Sequence, residues 1–178
     1  MWPFGHLAGA YVLYSVLVRA RFDEPPGQGP VLVLALASQL PDLVDKPLAW
    51  YLAVLPTGRT LAHSLLVLVP LSIAVYLLAR RYDRREHGVA FAVGVFSHTA
   101  LDALPALWDP EESAGFLLWP LIPVEGYERG SPSVVELFVA SLSEPYFLSE
   151  FVLLALALVL WRRDGYPGIE PLRERISR

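Results

Sequence analysis

The chain has 178 residues, of which 54% are apolar and 18% charged, with a mean hydropathy of +0.45 and a net charge of -4. Soluble domains run at about 45–50% apolar and 25% charged, so an ordinary soluble globule is excluded, and long apolar runs exclude a disordered chain. A small polytopic membrane protein remains. Cysteine is absent, which removes disulfides, thiolate metal sites and cysteine nucleophiles together and leaves His, Asp and Glu to hold any metal. No basic tract marks a nucleic-acid binder.

Residues 6–18 form a short continuous apolar run. It lacks the basic flank and small-residue cleavage site of a signal peptide, so a retained first span is expected. Residues 31–55 are long enough to cross a bilayer, yet Pro41-Asp42-Leu43-Val44-Asp45-Lys46-Pro47 brings two prolines and three charges into the segment. This predicts a broken second helix, an arrangement tolerated at membrane depth where the freed backbone lines an enclosed cavity. Residues 61–79 and 88–107 each approach the roughly 20 residues a span needs, and 146–161 make a further one. Between them, residues 108–145 read as an external loop whose apolar pieces, 116–124 and 134–139, lie at the interface.

Of 14 basic residues, Arg19, Arg21, Arg80, Arg81, Arg84, Arg85, Arg162, Arg163, Arg173, Arg175 and Arg178 fall on one side if the chain crosses five times. By the positive-inside rule that side is cytoplasmic, which puts the N-terminus outside. Lys46, Arg59 and Arg129 are the exceptions, and Asp109, Glu111, Glu112, Glu125, Glu128 and Glu136 collect in the external loop. The expected architecture is an all-α, multi-pass bundle in the plasma membrane. Residues 1–163 form a single transmembrane domain of about five spans, and 164–178 a cytoplasmic tail.

Ionisable groups at membrane depth cost about 2.5–3.5 kcal/mol each even on lenient insertion scales, so each calls for a partner or a function. His98 and Asp102 are four residues apart in an apolar helix and share one face; they can bind one metal or each other. His63 is expected near the outer end of its helix with Arg59 one turn earlier, and taken singly it reads equally as an interfacial histidine. His6 precedes the first apolar run, where a solvated end residue is the plainer reading. Asp42 and Asp45, three apart, can face one cavity or form an external turn salted by Lys46. The topology brings His6, His63, Asp102 and the broken segment to the outer half of the membrane, a nitrogen/oxygen set suited to zinc, manganese or iron(II). His87, among Arg84, Arg85 and Glu86, reads as solvated.

The order of Gly5-His6-Leu7, Leu40-Pro41-Asp42, residues 59–64 ending in His63-Ser64, Ser97-His98 with Asp102, and Leu117-Leu118-Trp119-Pro120 resembles the family of LexA-binding, inner-membrane-associated metal-dependent hydrolases. The likeness runs from residue 6 to residue 120. In that family the segment around the second histidine reads His-Arg-Gly-x-Thr-His-Ser; in this chain Gly58 replaces the first His and Ala62 the Thr, and two residues rather than one separate Asp42 from Asp45. A looser likeness links the ligand order to the helical zinc phospholipase C and P1 nuclease group.

The resemblance implies a membrane-embedded hydrolase in which His6, Asp42, His63, His98 and Asp102 hold a divalent metal, zinc first. Asp42 or Asp45 would orient the attacking water and Arg59 would bind the anion of a phosphoester or lipid substrate at the outer face. The partners implied are the bilayer and a small-molecule or lipid substrate. The alternative is a non-catalytic membrane protein, either an ion conduit or an assembly partner. A conduit needs polar groups on both sides of His98, and residues 89–97 hold no ionisable side chain.

Overall fold

Proline opens the first helix: Pro3 stands in the first turn of α1 (Pro3–Phe22), where its missing N–H has no intrahelical partner to lose. The computed structural model describes residues 1–126 and 133–169. Among these the chain is entirely helical, continuing through α2 (Gln28–Ala37), α3 (Leu40–Trp50), α4 (Leu65–Arg81), α5 (Arg85–Ala103), α6 (Val134–Ser141) and α7 (Pro145–Arg163), with 3-10 turns at Leu61–His63, Leu104–Leu107 and Gly115–Leu118. Arg129, Glu128, Arg173, Arg175 and Arg178, whose charges enter the expected topology, lie outside the described residues.

The break in the second apolar segment is real but sits earlier than expected. Residues 41–47, expected to interrupt the helix, are themselves helical within α3, and the chain bends at Ser38 and Gln39 instead. The cause is Pro41, which has no N–H to donate to the carbonyl of Ala37, so α2 stops there. Pro47 is carried inside α3. The fourth helix also starts later than the apolar pattern implies. Ser64 caps α4 by accepting from the Leu66 N–H at 3.2 Å, which leaves His63 in the 3-10 turn before it.

Helix α5 is the centre of the bundle, packing against α1, α2 and α4. It approaches α2 closely because Gly94 carries no side chain: a Cβ there would lie 2.7 Å from the Ala37 Cβ and 3.0 Å from the Leu34 carbonyl oxygen. Small residues at such crossings are how membrane helices gain van der Waals contact. The buried core gathers Ala8, Ala10, Tyr11 and Tyr14 of α1 with Val31, Leu34, Ala90 and Ala157. Elsewhere α4 and α7 leave Leu66, Val69, Ile73, Leu77, Leu148, Val152, Leu156 and Val159 exposed, an apolar surface too extensive for a helix facing water. Helices α5 and α7, the latter with Phe147, Glu150 and Ala157 as its buried residues, are long and apolar enough to cross a membrane.

At the opposite end from the candidate site, Asp164 fastens α7 to α1. Its carboxylate accepts from the Tyr11 hydroxyl at 2.6 Å, the Ser15 hydroxyl at 2.7 Å and the Arg19 Nε at 2.8 Å. Burial alone would raise the carboxyl, but those three donors hold it below the ordinary carboxylate range. The network therefore stabilises the fold fully above the unfolded pKa of about 3.9, and the contribution is lost as pH falls through the depressed native value. Asp164→Asn should cost about 1.5–3 kcal/mol at pH 7, the range for hydrogen bonds to a charged group. Melting curves in detergent should show its gap from wild type narrowing as pH falls below about 4.

Candidate metal centre

Four buried side chains from three places in the chain converge: Asp42 of α3, His63 of the 3-10 turn, and His98 and Asp102 of α5. One nitrogen or carboxylate oxygen from each lies within 4.8 Å of all the others. The orientation of the two imidazoles decides what this group can do. His63 presents Nδ1 to Asp45 Oδ2 at 2.8 Å, and His98 presents Nδ1 to the Ser38 carbonyl oxygen at 2.7 Å. Both partners can only accept, so both Nδ1 atoms carry the proton. The two Nε2 atoms, left with bare lone pairs in the neutral rings, face each other at 3.1 Å. Two acceptors at that distance need a cation between or beside them, either a proton or a metal ion.

The surroundings supply negative charge for such a cation. Asp42 Oδ1 is buried without a hydrogen bond and lies 3.6 Å from His63 Nε2 and 3.7 Å from His98 Nε2. Asp102 Oδ2 stands 3.5 Å and 3.9 Å from the same two nitrogens. Ligands bound at zinc's nitrogen distance of about 2.0–2.1 Å in tetrahedral geometry are about 3.3 Å apart, close to the observed separation of the two Nε2 atoms. The donor set and its orphaned oxygen fit a divalent metal.

Local structure explains how these groups are held. The helix break frees the last carbonyls of the α2 segment from intrahelical bonding, and Gly94, one turn before His98, lets α2 come close enough for Ser38 to use one of them. Both oxygens of Asp45 are engaged: besides His63 the carboxylate accepts from the Thr60 N–H at 2.7 Å and the Ala62 N–H at 2.9 Å. This carboxylate fixes the turn that carries His63 and fixes the ring itself, the usual arrangement behind a metal-binding histidine. The Ser64 hydroxyl donates to the Trp119 carbonyl at 2.6 Å, tying the segment that places Phe116 edge-on to the His63 ring, 6.0 Å between centroids.

The family comparison agrees with the membrane character of the bundle: the profile described as YdjM inner membrane protein matches residues 1–165. The chain belongs to the YdjM inner membrane protein family. No curated protein and no solved structure matches it. Family membership and two helices suited to crossing together make this a membrane protein.

Within this YdjM-family chain, the residues singled out from sequence are distributed as follows. Asp42, His63, His98 and Asp102 form the group above. His6 is fully buried and stacks on His98 with ring centroids 3.6 Å apart. Its Nε2 lies 3.2 Å from Asp102 Oδ1, which also takes the Met1 amine at 3.1 Å, and neither His6 ring nitrogen makes a hydrogen bond. The plainer reading of His6 as a solvated end residue is thus corrected, since α1 begins at Pro3 and carries it inside. The alternative of a direct His98–Asp102 hydrogen bond is absent, the two being 3.9 Å apart.

Arg59 does not share a helical face with His63, because residues 58–60 precede the turn. It reaches Asp102 Oδ2 through Nε at 3.1 Å and Glu112 Oε2 through a terminal nitrogen at 3.4 Å. Asp42 and Asp45 flank the same imidazole from opposite sides, Asp42 Oδ1 3.6 Å from His63 Nε2 and Asp45 Oδ2 2.8 Å from His63 Nδ1. His87 is not freely solvated either: its ring lies against α2, where a Cβ on Gly29 would stand 2.6 Å from Nε2. Lys46, expected to salt a turn carrying Asp42 and Asp45, pairs its Nζ with Asp42 Oδ2 at 2.5 Å within α3, as the i, i+4 spacing of the two allows; sequence reasoning did not count it among the site residues. It also missed the Ser38 carbonyl, which no side-chain pattern announces.

Beside this group opens a cavity of about 920 Å³. Asp102, Arg59 and Lys46 line it together with Trp2, Trp50, Phe116 and the α6 residues Val134 and Leu137.

Proposed function

We propose that this protein is a membrane-embedded, metal-dependent hydrolase acting on a phosphoester or lipid substrate at the outer face of a five-span bundle. The observation that carries the reading is the pair of bare Nε2 atoms 3.1 Å apart, each oriented by a committed Nδ1 and flanked by the unbonded Asp42 oxygen. Asp42, His63, His98 and Asp102 would hold the metal, with His6 beside Asp102 as a further nitrogen; zinc suits this sulfur-free set. When bound, such a metal supplies an activated water at neutral pH and neutralises charge building on a phosphoryl or carbonyl oxygen.

The chain's own groups do the rest. Asp45 and the Ser38 carbonyl keep both imidazoles in the Nδ1–H form. Of the two carboxylates considered for orienting the attacking water, Asp45 is turned to His63 Nδ1 and the Thr60 and Ala62 N–H groups, away from the two Nε2 atoms, so that task falls to Asp42, whose carboxylate faces them. Arg59 faces the cavity where the substrate anion would sit. The apolar walls favour an amphiphilic molecule entering from the bilayer, and the resemblance to inner-membrane metal-dependent hydrolases supports the same chemistry.

The test is metal removal. Protein purified from zinc-replete cells should contain stoichiometric metal by elemental analysis and hydrolyse a chromogenic phosphoester. Chelation should abolish turnover and added zinc or manganese restore it. Metal-free protein from such cells would refute the reading.

A further inference from the structure

The two basic side chains that line the cavity, like the Met1 amine beside them, are engaged by the carboxylates a metal would take. Lys46 holds Asp42 Oδ2, while the other oxygen of the same carboxylate faces the histidines. Arg59 holds Asp102 Oδ2, the very oxygen that lies 3.5 Å from His63 Nε2. Each carboxylate is therefore shared between a cationic side chain on the cavity side and the imidazole pair on the buried side.

We propose that Lys46 and Arg59 form an anion clamp for the phosphoryl oxygens of the substrate, released when metal takes Asp42 and Asp102, so that metal binds first and the anion second. The proposal rests on the metal-site reading above and adds an order of binding, a second cationic residue and a ligand class. Before metal arrives, the carboxylates neutralise both cations, and an incoming anion meets Asp102 in the cavity wall with Asp42 behind Lys46. Once a divalent ion shares Asp42 and Asp102, their hold on Lys46 and Arg59 weakens.

The side chains of Lys46 and Arg59 are about a third exposed, at 31% and 33%. Their carboxylate partners are buried, so each cation turns to another anion only when a second cation replaces it at the carboxylate, which is the part the metal plays. The two come from different elements, α3 and the loop before the 3-10 turn, and line one cavity. Arg59 offers a planar fork and Lys46 a point charge over the Trp50 ring, 5.7 Å from its centroid. A phosphoryl group, with several peripheral oxygens, can accept from both at once. Rim carboxylates Glu111, Glu112 and Glu125 keep highly charged soluble anions at a disadvantage. The apolar wall of Trp2, Phe116, Val134 and Leu137 would receive a tail if the phosphoryl group belongs to a lipid.

Calorimetry on the full chain in detergent tests this, with zinc, inorganic phosphate and dihexanoyl phosphatidic acid as probes. Zinc should tighten phosphate binding at least tenfold. Lys46→Gln and Arg59→Gln should each remove most of that gain while leaving zinc affinity, measured without phosphate, unchanged or higher, because a competitor for the carboxylate is gone. Tighter zinc-dependent binding of phosphatidic acid than of phosphate assigns the site to a lipid headgroup, and equal binding assigns it to a soluble phosphoester; either supports the clamp. Zinc-loaded wild type whose phosphate affinity ignores zinc overturns the clamp alone, and this arm needs no variant to fold. Zinc-dependent binding that survives in both variants, or variants that lose zinc affinity, also overturn it. Wild type that binds no zinc overturns the metal reading and the clamp with it.

Discussion

His98→Ala should empty the metal centre while leaving the bundle folded. The substitution removes one of the two opposed Nε2 atoms, and with it one of two nitrogens in a four-ligand group. The loss in zinc affinity should exceed the roughly 10–100-fold that removal of a mere supporting partner costs. Folding should tolerate the change, because alanine is the better helix former and more apolar. What remains is the Ser38 carbonyl without its donor, an unsatisfied buried acceptor worth about 1–3 kcal/mol. Against that cost, the variant no longer holds two lone pairs face to face.

Thermal melts with and without zinc separate these effects. A ligand at 100 times its Kd stabilises the native state by about 2.7 kcal/mol, so wild type should gain melting temperature on zinc addition and His98→Ala should gain none. If zinc shifts both equally, the metal lies elsewhere. If the metal-free variant melts far below metal-free wild type, His98 is a structural residue whose ring fills the core.

Much of this group could be read from the chain because its members are polar residues in apolar surroundings. His98 and Asp102 stand out by i, i+4 spacing within a span-like run, and His63 by its place at the edge of another. The all-helical architecture follows from the same apolar runs. What stayed hidden depends on backbone detail. The helix break could be inferred from two prolines, but its position three residues before Pro41 follows from which N–H the ring deletes. That shift frees a carbonyl for His98. Asp45 looked equivalent to Asp42, since three residues in a helix place both side chains within about 60° of one face; only the returning loop, with the N–H groups of Thr60 and Ala62, assigns them different partners. Arg59 was placed on a helix that begins six residues later. Short loops and turns are set by tertiary contacts, and hydrophobic periodicity does not record those.

The different task of Asp45 yields the second large effect. Asp45→Asn keeps the shape of the side chain but replaces an oxygen that only accepts with an amide that also donates. Oδ2 of Asp45 accepts from both the Thr60 N–H and His63 Nδ1, and Oδ1 from the Ala62 N–H, so an amide nitrogen in the Oδ2 position faces two donors, of which only His63 can move its proton. The stable answer is for His63 to give up its Nδ1 proton and carry it on Nε2, the atom that faces His98 and Asp42. In that tautomer His63 donates a hydrogen bond to His98 and no longer offers a lone pair to a metal.

Asp45→Asn should therefore cost about 10–100-fold in zinc affinity, although Asp45 touches the metal set only through His63. The protein should remain folded, with turnover recovering at saturating zinc if the metal alone was lost. Nitrogen NMR on histidine-labelled protein reads the tautomer directly. Wild type should show protonated Nδ1 at His63, and the variant protonated Nε2. An unchanged tautomer with unchanged zinc affinity would reduce Asp45 to a clasp for the loop. An unchanged tautomer with turnover lost at saturating zinc would make Asp45, rather than Asp42, the carboxylate that orients the attacking water.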